Sequence, residues 1–140
     1  MANYESRMRT SYFNVKDEDA FLNEINELEL DADIEKTDHG FILLGSDFTY
    51  GSQEQLDENG DYIGEKEVSV FTIIQNHLKE GEIVLVNSIG YEKMKYLHGT
   101  SFIITPKVVL SVCAEEAVKE KAVELGLLTK DQADNLECIL

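Results

Sequence analysis

The chain has 140 residues, 43% of them apolar, with 28 acids against 12 bases for a formal charge of −16. That length fits one domain whose core buries roughly two-thirds of the unfolded surface, and the apolar fraction excludes a disordered acidic tail. The charge excludes naked nucleic acid and anionic membranes as direct partners, because binding either depends on Lys and Arg neutralising phosphates.

Residues Arg7 to Val15 alternate and carry aromatic and β-branched side chains, which predicts a first strand. Lys16-Asp17-Glu18-Asp19 opens a helix, its acids suited to the positive end of the helix dipole. Phe21, Leu22, Ile25 and Leu28 recur at helical spacing and form its buried face, with Glu24, Glu27 and Asp31 opposite. Ala32 to Lys36 reads as a second strand, Asp38-His39-Gly40 as a turn, and Phe41 to Leu44 as a buried strand. Gly45 to Glu67 is the least regular stretch, but Asn59-Gly60 between two flanks that can pair predicts a hairpin.

Val68 to Leu78 reads as a helix stopped by Gly81, and Glu82 to Ile89 as a central strand. Lys93 to Leu97 and Ser101 to Leu110 are expected to pair around His98-Gly99-Thr100. Ala114 to Leu125 predicts a helix with Gly126 just past its end. Thr129 with Gln132 resembles a capping box for a last short helix.

This order predicts an α+β fold. The expected sheet is mixed or antiparallel, of about five strands in a split βαβ (ferredoxin-like) arrangement, with helices on one face and a C-terminal helical hairpin. The span 1–140 reads as a single α+β domain, with an acidic segment over 17–67 and C-terminal helices over about 114–138.

The charge is unevenly placed. Residues 1–70 hold 18 acids and 5 bases, residues 71–140 hold 10 and 7. Between Asp17 and Glu67, 17 acids meet only Lys36 and Lys66. A segregated field of this kind steers positively charged surfaces. No lysines interleave Glu24, Glu27 and Asp31, whose helical spacing sets carboxylates about 5–6 Å apart at Cβ. That is on the order of the phosphate spacing along a nucleic-acid strand. The candidate partner-binding residues are Glu24, Glu27, Asp31, Asp33, Asp57, Glu58 and Asp61.

Other chemistries find less support. Asp57, Asn59 and Asp61 occupy the first three ligand positions of a calcium loop, but position six is Tyr62 instead of Gly and position twelve is Val68 instead of Glu. An Asn-Gly hairpin accounts for the same residues without a metal. His39, His77 and His98 show no zinc spacing and read as surface residues. Cys113 and Cys138 form no CxxC, and Cys113 reads as a small buried hydrophobe. The glycines of the middle segment form no phosphate-binding motif, and the acids are too numerous to single out a catalytic pair. The expectation is a protein that is not an enzyme, with no catalytic residue, metal or cofactor. The opening MANYESRMRT has no apolar leader and no run reaches the length of a membrane span, so a cytoplasmic location is expected.

Two stretches, Arg9-Thr10-Ser11-Tyr12-Phe13-Asn14-Val15-Lys16-Asp17-Glu18 and Glu92 to Thr100 followed by Phe102-Ile103-Ile104-Thr105, together resemble small acidic proteins carried by conjugative elements and phages of Gram-positive bacteria. The resemblance implies a host cytoplasm where such proteins counter restriction enzymes or CRISPR nucleases. It supplies no catalytic residues. Charge and resemblance together predict an acidic, nucleic-acid-mimicking inhibitor of anti-CRISPR or anti-restriction type. Its partner would be a basic nucleic-acid-binding protein, a defence nuclease or its complex. The alternatives are an accessory or structural protein of a mobile element, a homo-oligomer among them, whose acidity only aids solubility, or a small-ligand-binding protein.

Overall fold

The computed structural model describes residues 4–92 and 96–136. The elements run β1 (Tyr4–Thr10), α1 (Glu18–Asn26), β2 (Ala32–Thr37), β3 (Gly40–Gly45), β4 (Tyr50–Leu56), β5 (Tyr62–Ser69), α2 (Val70–His77), β6 (Val84–Glu92), β7 (Tyr96–Ile104), β8 (Val109–Cys113), α3 (Ala114–Glu124) and α4 (Lys130–Asp134). Six strands form one sheet in the order β2-β3-β1-β6-β7-β8, and β4 with β5 forms a separate two-stranded ribbon. Every pairing is antiparallel.

The sheet buries one face under α1 and α2. Val84 and Val86 point inward and are buried, whereas Leu85, Ile89 and Tyr91 on the same strand are exposed on the outer face. This is the period-2 alternation of a half-buried sheet. Helix α1 contributes Phe21 and Ile25, and α2 contributes Val70, Phe71, Ile73 and Ile74. Phe21 stands edge-on to Phe13 at 5.8 Å and to Phe41 at 5.3 Å between ring centres, so helix, β1 extension and β3 meet in one aromatic cluster. Such geometry sets the positive ring edge against a negative face.

The first strand ends sooner than expected. Its ladder stops at Thr10; beyond it the Ser11 N–H donates to the Leu85 carbonyl at 2.7 Å, and isolated bridges, Phe13 to Phe41 and Val15 to Leu78, continue the path. Side chains cause this break. The hydroxyl of Thr10 accepts the Leu43 N–H at 3.0 Å, on the β3 side. The hydroxyl of Ser11 accepts the Leu85 N–H at 2.9 Å, on the β6 side. Two hydroxyls thus replace backbone carbonyls on both neighbours of a central strand, and the chain bends to drop Phe13 into the core. Gly40 faces the bend with φ at +121°, where a Cβ would lie 2.5 Å from the Phe13 carbonyl oxygen. Only glycine accommodates that backbone and that approach.

Other expectations shift. The sheet has six strands instead of about five. The stretch Gly45 to Glu67 is largely regular, holding β4 and most of β5. Helix α2 starts at Val70 instead of Val68, because the Ser69 side chain caps it by accepting the Thr72 N–H. The pairing expected around His98-Gly99-Thr100 is overturned. Those residues lie inside β7, opposite Gly90, Ile89 and Ser88. Residues 93–95, between β6 and β7, lie outside the described residues, as does that part of the expected Lys93 to Leu97 strand. A further turn at Thr105-Pro106-Lys107-Val108 splits the expected Ser101 to Leu110 strand. There the Thr105 hydroxyl accepts from the Lys107 and Val108 N–H groups, beside a proline that cannot donate to a ladder. Gly99 lies in extended strand, and a Cβ there would meet the Ser88 carbonyl and the Ala114 methyl only at ordinary contact distances of 3.8 and 4.0 Å.

Helix α3 begins at Cys113, which is half-buried and not the buried hydrophobe expected. Its Sγ accepts the Glu116 N–H at 3.5 Å and serves as N-cap. The Thr129–Gln132 capping box forms at the start of α4. The helices expected to reach about 138 have α4 ending at Asp134, and residues 137–140 are outside the description.

If the Thr10 hydroxyl carries the β1–β3 junction, Thr10→Val should cost about 1–3 kcal/mol in urea unfolding, the price of an unpaired buried N–H. Thr10→Ser should cost clearly less, and equal losses for the two would show that shape, not the hydrogen bond, matters there.

Candidate functional site

The β4–β5 ribbon stands outside the main sheet and holds six carboxylates with one lysine over residues 50–69. Register places Glu54 directly opposite Glu65, and Ser52 opposite Glu67. Side chains at positions two apart share a face, so Glu54, Glu65 and Glu67 line one side of the ribbon. Directly opposed side chains have Cβ atoms about 4.5–5.5 Å apart, and like charges there are destabilising. Ser52 partly relieves the row by donating its hydroxyl to Glu65 Oε2 at 3.0 Å.

The expected hairpin forms at Asn59-Gly60. Gly60 adopts φ of +84°, and the Asp57 carboxylate accepts the Asn59 and Asp61 N–H groups at 2.8 and 2.9 Å. Asp57 is therefore first a turn-former, with one oxygen committed to the backbone. Glu58 and Asp61 at the tip are exposed. The ribbon base joins the body where Glu29 and Ser52 bridge and where Gln53 Nε2 donates to Glu27 Oε2 at 3.3 Å.

The seven residues singled out from sequence fall into three places. Glu24, Glu27 and Asp31 do not share a helix face. Helix α1 ends at Asn26 with Glu27 as its C-cap, and the chain then turns to meet β4, leaving Asp31 in the approach to β2. Glu24 is occupied, since its Oε2 lies 2.6 Å from His77 Nε2. His77 is also not the plain surface histidine expected. Its ring packs on Phe21 at 5.6 Å and its side chain is only 16% exposed.

Asp31 and Asp33 line a third place, an open groove of about 690 Å³ on the outer sheet face with Arg7, Arg9, Leu44 and Asn87. Arg7 and Arg9 are the only arginines in the chain. Their presence weakens the negative field around Asp31 and Asp33. Asp57, Glu58 and Asp61 remain on the ribbon. Sequence reasoning missed Glu54, Glu65 and Glu67. The signal available was the alternation of acids at 54 and at 65 and 67 on either side of Asn59-Gly60.

Among the described residues, no group of three His, Cys, Asp or Glu side chains is placed to hold a metal ion, and no helix is long and apolar enough to cross a membrane. Tyr91 is perturbed. Glu5 accepts its phenol hydrogen and, being negative, adds electrostatic disfavour for the phenolate, which holds the pKa above the ordinary 10.0. That direction moves the group away from neutrality, opposite to the tuning of a general base.

Compared with protein-family models, curated proteins and solved structures, the chain has no match in any of the three.

Two outcomes follow from this geometry. Glu54→Lys should stabilise the protein by about 0.2–1 kcal/mol in denaturant unfolding, with a gain that shrinks as salt rises; a loss of stability would show that the two carboxylates do not oppose each other. Spectrophotometric titration of the phenols should reveal one that ionises above the rest, and Glu5→Gln should lower it. No change in that variant would remove Glu5 as the cause.

Proposed function

We propose that this chain is an acidic, nucleic-acid-mimicking inhibitor that covers a basic nucleic-acid-binding surface of a host defence protein, a defence nuclease or its complex. One observation carries the reading: the β4–β5 ribbon sets Glu54 against Glu65, with Glu67 on the same face and Glu58 and Asp61 at its tip. A ribbon of seven to eight residues per strand is about 25 Å long. It offers a short row of Glu65 and Glu67 on β5 beside Glu54 of β4, with Asp57, Glu58 and Asp61 at the tip. A protein groove that holds a phosphate backbone by Lys and Arg would accept such a row by the same electrostatics. The placement chosen from sequence is thereby revised. Asp57, Glu58 and Asp61 stay in the proposed surface, with Glu27 at its base, and Glu54, Glu65 and Glu67 join them. Asp31 and Asp33 stand with the arginine groove, and Glu24 with His77.

The resemblance of the N-terminal and β7 segments to proteins of Gram-positive mobile elements supports a defence protein as target and a cytoplasmic place of action. For the frame that carries the ribbon we infer a split βαβ, ferredoxin-like arrangement. In its favour, β3 lies between β1 and β2, α1 connects those two, and β6 follows α2 onto the other side of β1. On that reading β4–β5 is an insertion before α2, and β7 and β8 extend the sheet.

The test is a pull-down from the host lysate at low and high salt, followed by a cleavage assay on the nuclease recovered. Wild-type protein should inhibit at low salt and lose affinity steeply as salt rises. A variant with Glu54→Lys, Glu58→Lys, Asp61→Lys and Glu65→Lys should lose inhibition by on the order of a hundredfold or more while keeping its far-UV spectrum. A variant that still inhibits normally refutes the proposal.

A further inference from the structure

The main sheet has two edges, and they are guarded differently. The β2 edge carries Asp33, Glu35 and Lys36, charges that discourage pairing with another chain. The β8 edge reads Val109-Leu110-Ser111-Val112-Cys113 and holds no charge at all. Its Val109, Leu110 and Val112 are exposed, and among the described residues no strand pairs with its outer side. The Thr105 N–H donates to the Val108 carbonyl at 2.8 Å, which fixes the alternation along the strand. Residues 108, 110 and 112 then turn their backbone groups toward β7. The donors and acceptors of Val109 and Ser111, and the N–H of Cys113, face the open edge, while the Cys113 carbonyl serves as the first acceptor of α3.

We propose that this edge pairs with the same edge of a second copy of the chain, antiparallel about a two-fold axis at Ser111. Pairing Ser111 with Ser111 satisfies both of its outward groups, and the Cys113 N–H of each copy then donates to the Val109 carbonyl of the other. Three features favour a second copy over an unrelated strand. The pattern is self-complementary, as an isologous contact requires. Just beyond the paired strands, the turn of one copy with Lys107 and the start of α3 of the other with Glu115 lie at the same ends of the junction, which places opposite charges near each other there. The acids of β2 also lie far off, at the opposite edge five strand spacings or about 24 Å away, beyond the screening length of roughly 8 Å in physiological salt, while the acids of α3 beside the junction are interleaved with Lys119 and Lys121.

The C-terminal arm points the same way. No residue of α3 is buried, and Ala133 is the buried residue of α4. Val118, Leu125, Leu127 and Leu136 are exposed. An eleven-residue helix draws little stability from propensity alone and depends on packing an apolar face. A strand junction by itself falls short of the roughly 800 Å² per partner of a stable interface. The arm leaves each strand at Cys113, beside the second copy's Val109, and supplies the missing area.

Sedimentation equilibrium of the full chain should give twice the chain mass, and a monomer at the highest soluble concentration overturns the proposal. Ser111→Pro removes one outward-facing N–H and should weaken association by roughly a hundredfold, with the far-UV spectrum retained; a dimer that survives it also overturns the proposal. Should that variant fail to fold, Ser111→Cys combined with Cys113→Ser and Cys138→Ala decides. Paired Ser111 positions lie about 5.5 Å apart at Cα, within disulfide reach, so mild oxidation should yield a covalent dimer. Failure to cross-link, or an edge that instead captures an extended peptide as a monomer, refutes the second copy.

Discussion

The hydroxyls of Thr10 and Ser11 hold the middle of this protein together. β1 is a central strand, flanked by β3 and β6, and a central strand that bends would ordinarily orphan donors on both neighbours. Thr10 takes the Leu43 N–H and Ser11 takes the Leu85 N–H, so the bend leaves neither donor unpaired. Because the bend is tolerated, Phe13 reaches the core and meets Phe21 and Phe41. That cluster seats α1 on the sheet, and Gly40 exists to let the Phe13 carbonyl approach. Were β1 straight through Val15, as its alternation suggests, α1 would lose its aromatic anchor.

Much of this was legible before any coordinates, and the failures have physical causes. The helix starts, the Asn-Gly hairpin and the Thr129–Gln132 capping box obey local rules, and local rules are read from adjacent residues. The end of β1 is not local, because it depends on donors from residues 43 and 85. Gly99 misled for a related reason. Glycine signals a turn when only chain neighbours are considered, but here it sits in mid-strand, fixed by pairing with Ile89 of β6. The end of α1 misled the site as well. Its heptad-like apolar spacing runs through Leu28, yet Glu29 is drawn into a bridge with Ser52, so Asp31 never joins the helix. Tertiary pairing overrode helical periodicity, and a carboxylate row expected on one helix dissolved into three places.

The charge asymmetry became a structural asymmetry. In sequence it divides the chain at about its midpoint. In the fold the acids of the first half gather on the ribbon and the β2 edge with few bases among them, whereas the β8 edge is uncharged and the arm beyond it mixes acids, lysines and exposed apolar side chains. The buried core runs from Met8 to Ile104, and the ribbon and β2 edge touch it only through Ala32, Ile34 and Val68. Residues outside the core are free of packing constraint, so their composition reports on contacts with something else.

Solubility alone does not account for the ribbon. Any surface position gives a carboxylate the same benefit in solubility, and spreading acids apart lowers their mutual repulsion. Glu54 and Glu65 instead occupy directly opposed positions, with Glu67 next along the same face, where repulsion is greatest for a given number of charges. A hydroxyl from Ser52 is then spent on holding one of them in place. An arrangement that lowers stability and adds nothing to solubility is what a surface complementary to closely spaced cations requires. On the proposed reading the cost is offset by cations of the partner, and for that reason the opposed pair, more than the total of −16, supports the proposal.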